Sequence, residues 1–182
     1  MKPRYFSTFQ LILLALFSAL IVVAKIALRT PLQMPGHSGI FWMAIIIVGV
    51  KVVPRRGAAS IIGVTSGLLA SFLGLGDFGA LDTFLSYAMV GVASDLILWL
   101  MGGNAENLIT AILTGILGHL GKFLVKWLFG IFSGTPLGFV ALGLIRSMVS
   151  YIMFGAIGGL LGWLTLRALR RAGFFAYLEE KR

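Results

Sequence analysis

Apolar residues fill six long stretches of this chain, and the positions between them are mostly glycine, proline and cationic side chains. The stretches occupy approximately 9–28, 39–53, 57–73, 80–101, 106–132 and 137–168. They lack the strict alternation of half-buried strands, and most reach the roughly 20 residues that a helix needs to cross a bilayer. The second and third are shorter, so their ends are expected to extend into the loops or to lie where the bilayer thins. Turn chemistry marks every break: Thr30-Pro31 and Pro35-Gly36, then Pro54 with Arg55 and Arg56, then Gly74, Gly76 and Gly79, then Gly102-Gly103-Asn104, then Gly134 and Pro136. The pattern predicts an all-α integral membrane protein, a single six-helix transmembrane domain over residues 1–182. The run from Leu11 to Ala24 follows Lys2 and Arg4 and ends on the small-residue sequence Val22-Val23-Ala24, as a signal peptide does. It continues apolar through Leu28, however, and more apolar segments follow, so an uncleaved first helix is the simpler expectation.

Composition strengthens the membrane assignment. Only 12% of residues are charged against 59% hydrophobic, where a water-facing surface normally draws on about 25% charged residues. The formal net charge of +9 would suggest nucleic acid in a soluble chain, but here it first bears on topology. With the N-terminus inside, ten of the 15 cations fall on the cytoplasmic side: Lys2, Arg4, Lys51, Arg55, Arg56, Arg167, Arg170, Arg171, Lys181 and Arg182. Both termini are therefore expected in the cytoplasm, in a multi-pass protein of the cell membrane with no nucleic-acid partner. Arg167, Arg170 and Arg171, close to Phe174, Phe175 and Tyr177, read as a helix end at the inner lipid surface. Lys25, Arg29, Lys122, Lys126 and Arg146 fall in the outer half, against the bias, and need another explanation. The chain has no cysteine, which excludes disulfides and thiolate metal sites.

Several motifs are weighed against plainer readings. Gly74-Leu75-Gly76-Asp77-Phe78-Gly79 matches the dinucleotide-binding fingerprint, but that motif works only between a strand and a helix; here a tight outer loop is expected, with Asp77 and Asp82 at its mouth. Gly63-Val64-Thr65-Ser66-Gly67 and His37-Ser38-Gly39, with His119 as a base, would suit an intramembrane serine protease, but small polar residues in membrane helices more often allow close packing. Gly155 with Gly159, Gly158 with Gly162, and Ala15 with Ala19 are small-residue pairs one turn apart. His119, Lys122 and Lys126 share one face of the fifth helix, and charges within a membrane are expensive enough to point to function. Arg146, Ser147, Ser150 and Tyr151 form a second polar stripe whose depth overlaps the first, while Asp95 lies nearer the cytoplasm. An ion pair of Asp95 with a cation, and lysines that snorkel outward, is the bland account. A polar pocket that opens outward explains more, since it also uses Phe41, Trp42, Phe78, Phe84 and Tyr87 near the outer loops.

Taken together, these residues resemble the S-component, the substrate-binding membrane subunit of energy-coupling factor (ECF) ABC vitamin transporters. Ala15-x-x-x-Ala19 is similar to the small-residue motif by which such subunits dock on a transmembrane coupling protein. Gly39-Ile40-Phe41-Trp42 through Arg56-Gly57-Ala58-Ala59 to Gly74 resembles the hydroxymethylpyrimidine/thiamine-type branch, although Thr65 and Ser66 stand where that branch has an acid in its third helix. The resemblance implies capture of a small water-soluble nutrient outside and delivery in a complex with the coupling protein and two ATPase subunits. It implies no enzyme activity and no cofactor, in keeping with a chain that lacks a Gly-x-x-x-x-Gly-Lys-Ser/Thr phosphate loop. The expected substrate contacts are Trp42, Tyr87, His119, Lys122 and Arg146, with His37 on an outer lid from Gln33 to Ser38. Aromatic faces would stack on a ring and cations would take a carboxylate or phosphate; a cationic ligand would instead need Asp77, Asp82 or Asp95. The alternatives are a metal-uptake subunit, which has only His37 and His119 to work with, an intramembrane enzyme, and a structural scaffold.

Overall fold

The computed structural model describes residues 6–27, 35–76, 78–134 and 136–176. Lys2, Arg4, Arg29, Thr30-Pro31, Gln33, Asp77, Tyr177, Lys181 and Arg182 lie outside the described residues. Six helices make up nearly all the rest: α1 (Thr8–Ala27), α2 (Gly39–Val52), α3 (Ala58–Phe72), α4 (Ala80–Leu100), α5 (Leu108–Phe132) and α6 (Leu137–Arg171). Among the described residues α1, α4, α5 and Leu142–Arg171 of α6 are long and apolar enough to cross a membrane. The 14 residues of α2 and 15 of α3 reach only about 21–23 Å at 1.5 Å per residue.

Local chemistry accounts for the ends. Asn107 caps α5, its side chain accepting hydrogen bonds from the Ile109 and Thr110 amides at 2.9 and 3.3 Å. Gly57 precedes α3 at φ +89°, a left-handed conformation that glycine adopts without steric cost and that turns the chain sharply after Pro54.

The helices pack in a ring ordered α1, α3, α4, α5, α6, α2, and α2 also reaches across to α3 and α5. That makes α2 the central element, and nine of its 14 residues are buried: Gly39, Trp42, Met43, Ala44, Ile46, Ile47, Gly49, Val50 and Val52. α1 is peripheral. It buries one stripe, Leu14, Ser18, Ile21 and Val22, and Ser18 ties it to α3 by donating to the carbonyls of Leu14 and Ile62 at 2.8 and 3.2 Å. Its other face, including Ala15, Leu16, Ala19 and Leu20, is exposed.

Lipid tails are as apolar as leucine, so close backbone approach, rather than escape from water, selects which faces meet. Glycines supply that approach at three seams. A Cβ on Gly63 would lie 2.6 Å from the Tyr87 carbonyl oxygen and 2.9 Å from Gly91 Cα, so α3 and α4 touch backbone to backbone. Gly115 of α5 meets Gly155 and Gly159 of α6 in the same way, and Gly158 and Gly162 face α2 at Gly39, Ile40 and Ile47. Ser66 donates to the Ile62 carbonyl at 2.6 Å within this packed region. The 63–67 motif is thus a helix seam.

Both ends of the bundle carry charge. Glu106, in the α4–α5 turn, pairs with Lys51 of α2 at 3.0 Å and with Arg170 of α6, and its carbonyl accepts from Trp163 Nε1 at 2.9 Å. Arg55, Arg56, Arg167 and Arg171 belong to this basic end. The turn at 35–38 lies at the opposite end.

Candidate ligand-binding site

Five helices bring side chains together beneath the 35–38 turn. Trp42 of α2 and Tyr87 of α4 stack with ring centroids 5.2 Å apart and planes inclined by 28°. His119 of α5 stands edge-on to Trp42 at 5.3 Å and lies 4.5 Å from the ring of Tyr151 on α6; Phe123 backs Tyr151 at 5.4 Å. The Lys122 ammonium lies over Trp42 at 4.4 Å and over Tyr87 at 5.1 Å, while Lys25 at the end of α1 reaches to 5.7 Å from the Tyr87 centroid. Lys122 is only 4% exposed, and its position over these rings is a favourable contact between an ammonium and the electron-rich face of a ring.

The turn closes directly on this cluster. His119 lies against the backbone of Gly39, where any Cβ would overlap its ring, and Gly36 at φ +81° leaves room for both His119 and Tyr151. Ser150 of α6 fastens the turn by donating to the Pro35 carbonyl at 2.6 Å. His119 Nδ1 is 3.0 Å from the Tyr151 carbonyl oxygen, which can only accept, so Nδ1 carries a proton and Nε2 of the neutral ring is an acceptor. That Nε2 and Trp42 Nε1 are buried without a hydrogen-bond partner. Native proteins seldom leave such atoms unmatched.

Of the residues expected from sequence, Trp42, Tyr87, His119 and Lys122 therefore converge. His37 sits in the turn above them, partly buried. Asp82 is fully buried and already held: Lys126 lies 3.8 Å away, and Ser86 Oγ and the Phe78 amide donate to it at 3.2 and 3.4 Å. Asp95 is elsewhere. Its carboxylate accepts from the Ser60 amide at 2.7 Å, the Ser60 hydroxyl at 2.6 Å and the Ala59 amide at 3.3 Å, which makes it a cap for the start of α3 on the wall of a 540 Å³ cavity with Arg55, Arg56 and Trp99. Arg146 is exposed and lines a separate cavity of 320 Å³ with Pro35, Val149, Ser150 and Met153. Tyr151 and Lys25 are members of the cluster that the sequence reading did not select, although Tyr151 shares the polar stripe of α6 and Lys25 interrupts an apolar run. Among the described residues no group of three or more His, Cys, Asp or Glu side chains is placed to hold a metal. Ser66 and His119 do not form a nucleophile and base, since the serine is bonded to Ile62 and the imidazole to Tyr151.

No protein-family model matches the chain, and no curated protein matches it. A solved structure does. The crystal structure of an S-component of an ECF transporter aligns with a TM-score of 0.64, over 98% of this chain and 95% of that one, at 15% sequence identity. The fold is that of an S-component. This likeness extends through all six helices, so the S-component fold is what carries Trp42, Tyr87, His119 and Lys122 into one cluster, whatever their counterparts are in the other protein.

Proposed function

We propose that this chain is the substrate-capture subunit of an ECF-type importer, binding a small water-soluble nutrient at the Trp42, Tyr87, His119 and Lys122 cluster. The observation that carries this reading is an aromatic and cationic cluster, roofed by a glycine-rich turn, in a bundle with the S-component fold. A planar ligand stacks on the indole and phenol rings. Trp42 Nε1 then gains an acceptor and His119 Nε2 a donor, which relieves a penalty of about 1–3 kcal/mol for each buried polar atom left unmatched. The turn at 35–38, with His37 and the Ser150 tether, is the lid over the outward mouth.

In this reading both termini are cytoplasmic, and the exposed stripe with Ala15 and Ala19 is the face that meets the coupling protein. Two ATPase subunits supply the energy, and this chain performs no chemistry of its own. Nothing favours a metal-uptake role, since His119 is bonded to Tyr151 and, among the described residues, it belongs to no group of three or more metal-ligating side chains.

Mass spectrometry of small molecules released from the detergent-purified protein tests the proposal. The expected result is one compound near one equivalent in the wild type, lost from Trp42→Ala and retained in Ala19→Trp. A folded wild-type protein that releases nothing, from cells grown in rich and in defined medium, would refute it.

A further inference from the structure

We infer that the basic end of the bundle holds an anionic phospholipid, its phosphodiester seated in the 540 Å³ cavity between the 54–57 turn and the end of α4. This site is independent of the capture site at the opposite end. Pro54 follows the end of α2, the Arg55 amide donates to the Val53 carbonyl at 2.7 Å, and Gly57 turns the chain into α3. That tight turn fixes the backbone from which two adjacent cations arise, Arg55, which is half-buried, and Arg56, which is exposed. Both line the cavity. An arginine can meet a phosphate through two parallel N–H donors, and basic pockets between membrane helices suit anionic headgroups.

The wall on α4 favours a lipid over a soluble anion. Leu96 and Trp99 line the cavity, lie three residues apart on one face of the helix, and are 51% and 55% exposed. No helix covers that side, so the cavity runs out onto the surface that acyl chains wet. Trp99 is one residue from the end of α4, the level at which tryptophan marks a membrane boundary. A phosphate beside Arg56 with an acyl chain along Leu96 thus keeps each part of one molecule in the medium it prefers. Asp95 is the acid of this wall, and its charge is taken up by the Ala59 and Ser60 amides and the Ser60 hydroxyl. The 450 Å³ cavity beside Trp163, Arg167 and Arg170 at the same end is a poorer match, because Glu106 lines it and pairs with Arg170, and Arg167 lies over Trp163 at 4.4 Å. One lipid is therefore expected.

Native mass spectrometry of the full-length chain in detergent, titrated with phosphatidylglycerol or phosphatidylcholine of the same acyl chains, tests this. The expected result is a single phosphatidylglycerol bound at least about tenfold more tightly than phosphatidylcholine. Arg56→Gln should reduce that preference to about threefold or less. Arg171→Gln removes the same charge at the same end but outside the cavity, and should leave the preference within about twofold of wild type. Where Arg56→Gln fails to fold, Arg55→Gln is read in its place, and the comparison of lipids on the wild type needs no variant. Equal binding of the two lipids, uptake of several phosphatidylglycerols with no distinct first one, or the same loss in Arg56→Gln and Arg171→Gln overturns the inference, as does a preference that survives Arg56→Gln. Displacement of phosphatidylglycerol by millimolar glycerophosphoglycerol, the same headgroup without acyl chains, also overturns it, since the cavity would then take soluble phosphates.

Discussion

Removing the Asp95 side chain separates a structural acid from a ligand-binding one. Asp95→Ala deletes three hydrogen bonds at once, from the Ala59 and Ser60 amides and the Ser60 hydroxyl. Both amides sit in the first turn of α3 and have no intrahelical acceptor to fall back on. Loss of a helix cap costs about 0.5–2 kcal/mol, and a hydrogen bond to a charged group about 1.5–3 kcal/mol. Asp95 is only partly buried, so water enters and recovers some of this. About 2–3 kcal/mol is therefore the expected destabilisation, which for a chain of this length corresponds to a fall in Tm of about 5–10 °C. Asp95→Asn should lose about half as much, since its amide oxygen can still accept from Ser60 while its NH2 group faces the Ala59 N–H. Thermal unfolding of the detergent-purified variants measures the stability, and calorimetry with the released compound measures affinity, which should stay within about twofold of wild type. A normal Tm combined with lost affinity would refute the cap and put Asp95 back in the binding site.

Four further outcomes follow from the geometry. Gly159→Leu should give no monodisperse protein on size-exclusion chromatography, because its Cβ would lie 2.5 Å from the Ala111 carbonyl oxygen and 2.7 Å from Ile112 Cα, whereas Gly143→Ala, which meets nothing within 4 Å, should fold normally. Ala19→Trp should leave Tm and ligand affinity unchanged and reduce copurification of the coupling protein; copurification at wild-type yield would exclude α1 as the docking face. Arg146→Met should leave affinity unchanged by calorimetry, and a tenfold loss would mean that the 320 Å³ cavity communicates with the site. A cysteine at Ser38 should react with an impermeant reagent added to intact cells and one at Gly103 should not; the reverse pattern would invert the topology.

The helices are legible in the sequence because a bilayer leaves the chain few options. Backbone groups must be satisfied within each segment, so long apolar runs become helices, and glycine, proline and charge mark the breaks. The seams are less legible. Gly63, Gly155 and Gly159 stand out as small residues, but their partners Gly91 and Gly115 do not, since no local spacing says that α3 faces α4 or that α5 faces α6. That information lies in the order of the ring. Asp95 and Glu106 were hidden for the same reason: each is held by groups at least 35 positions away in sequence, at a helix start in one case and across two other helices in the other.

Within the site, the residues that could be placed were those whose neighbours lie on the same helix. His119 and Lys122 are three residues apart and must share a face. Arg146 shows the limit of reasoning from depth alone. The rise of α6 puts it at a level close to that of the outer part of α5, but level does not fix direction. At 100° per residue, Arg146 points about 140° away from Tyr151 around the same helix. Tyr151 packs on His119, so Arg146 is turned away from the cluster and is exposed. Asp95 fails on both coordinates, about 12 Å along α4 from Tyr87 and about 80° around it. Distance along a membrane helix is set by counting residues, while the side it presents is set by the neighbour it packs against. In this bundle the glycine seams make that second choice: Gly91 turns Asp95 toward the start of α3, and Gly155 and Gly158 turn Tyr151 toward His119.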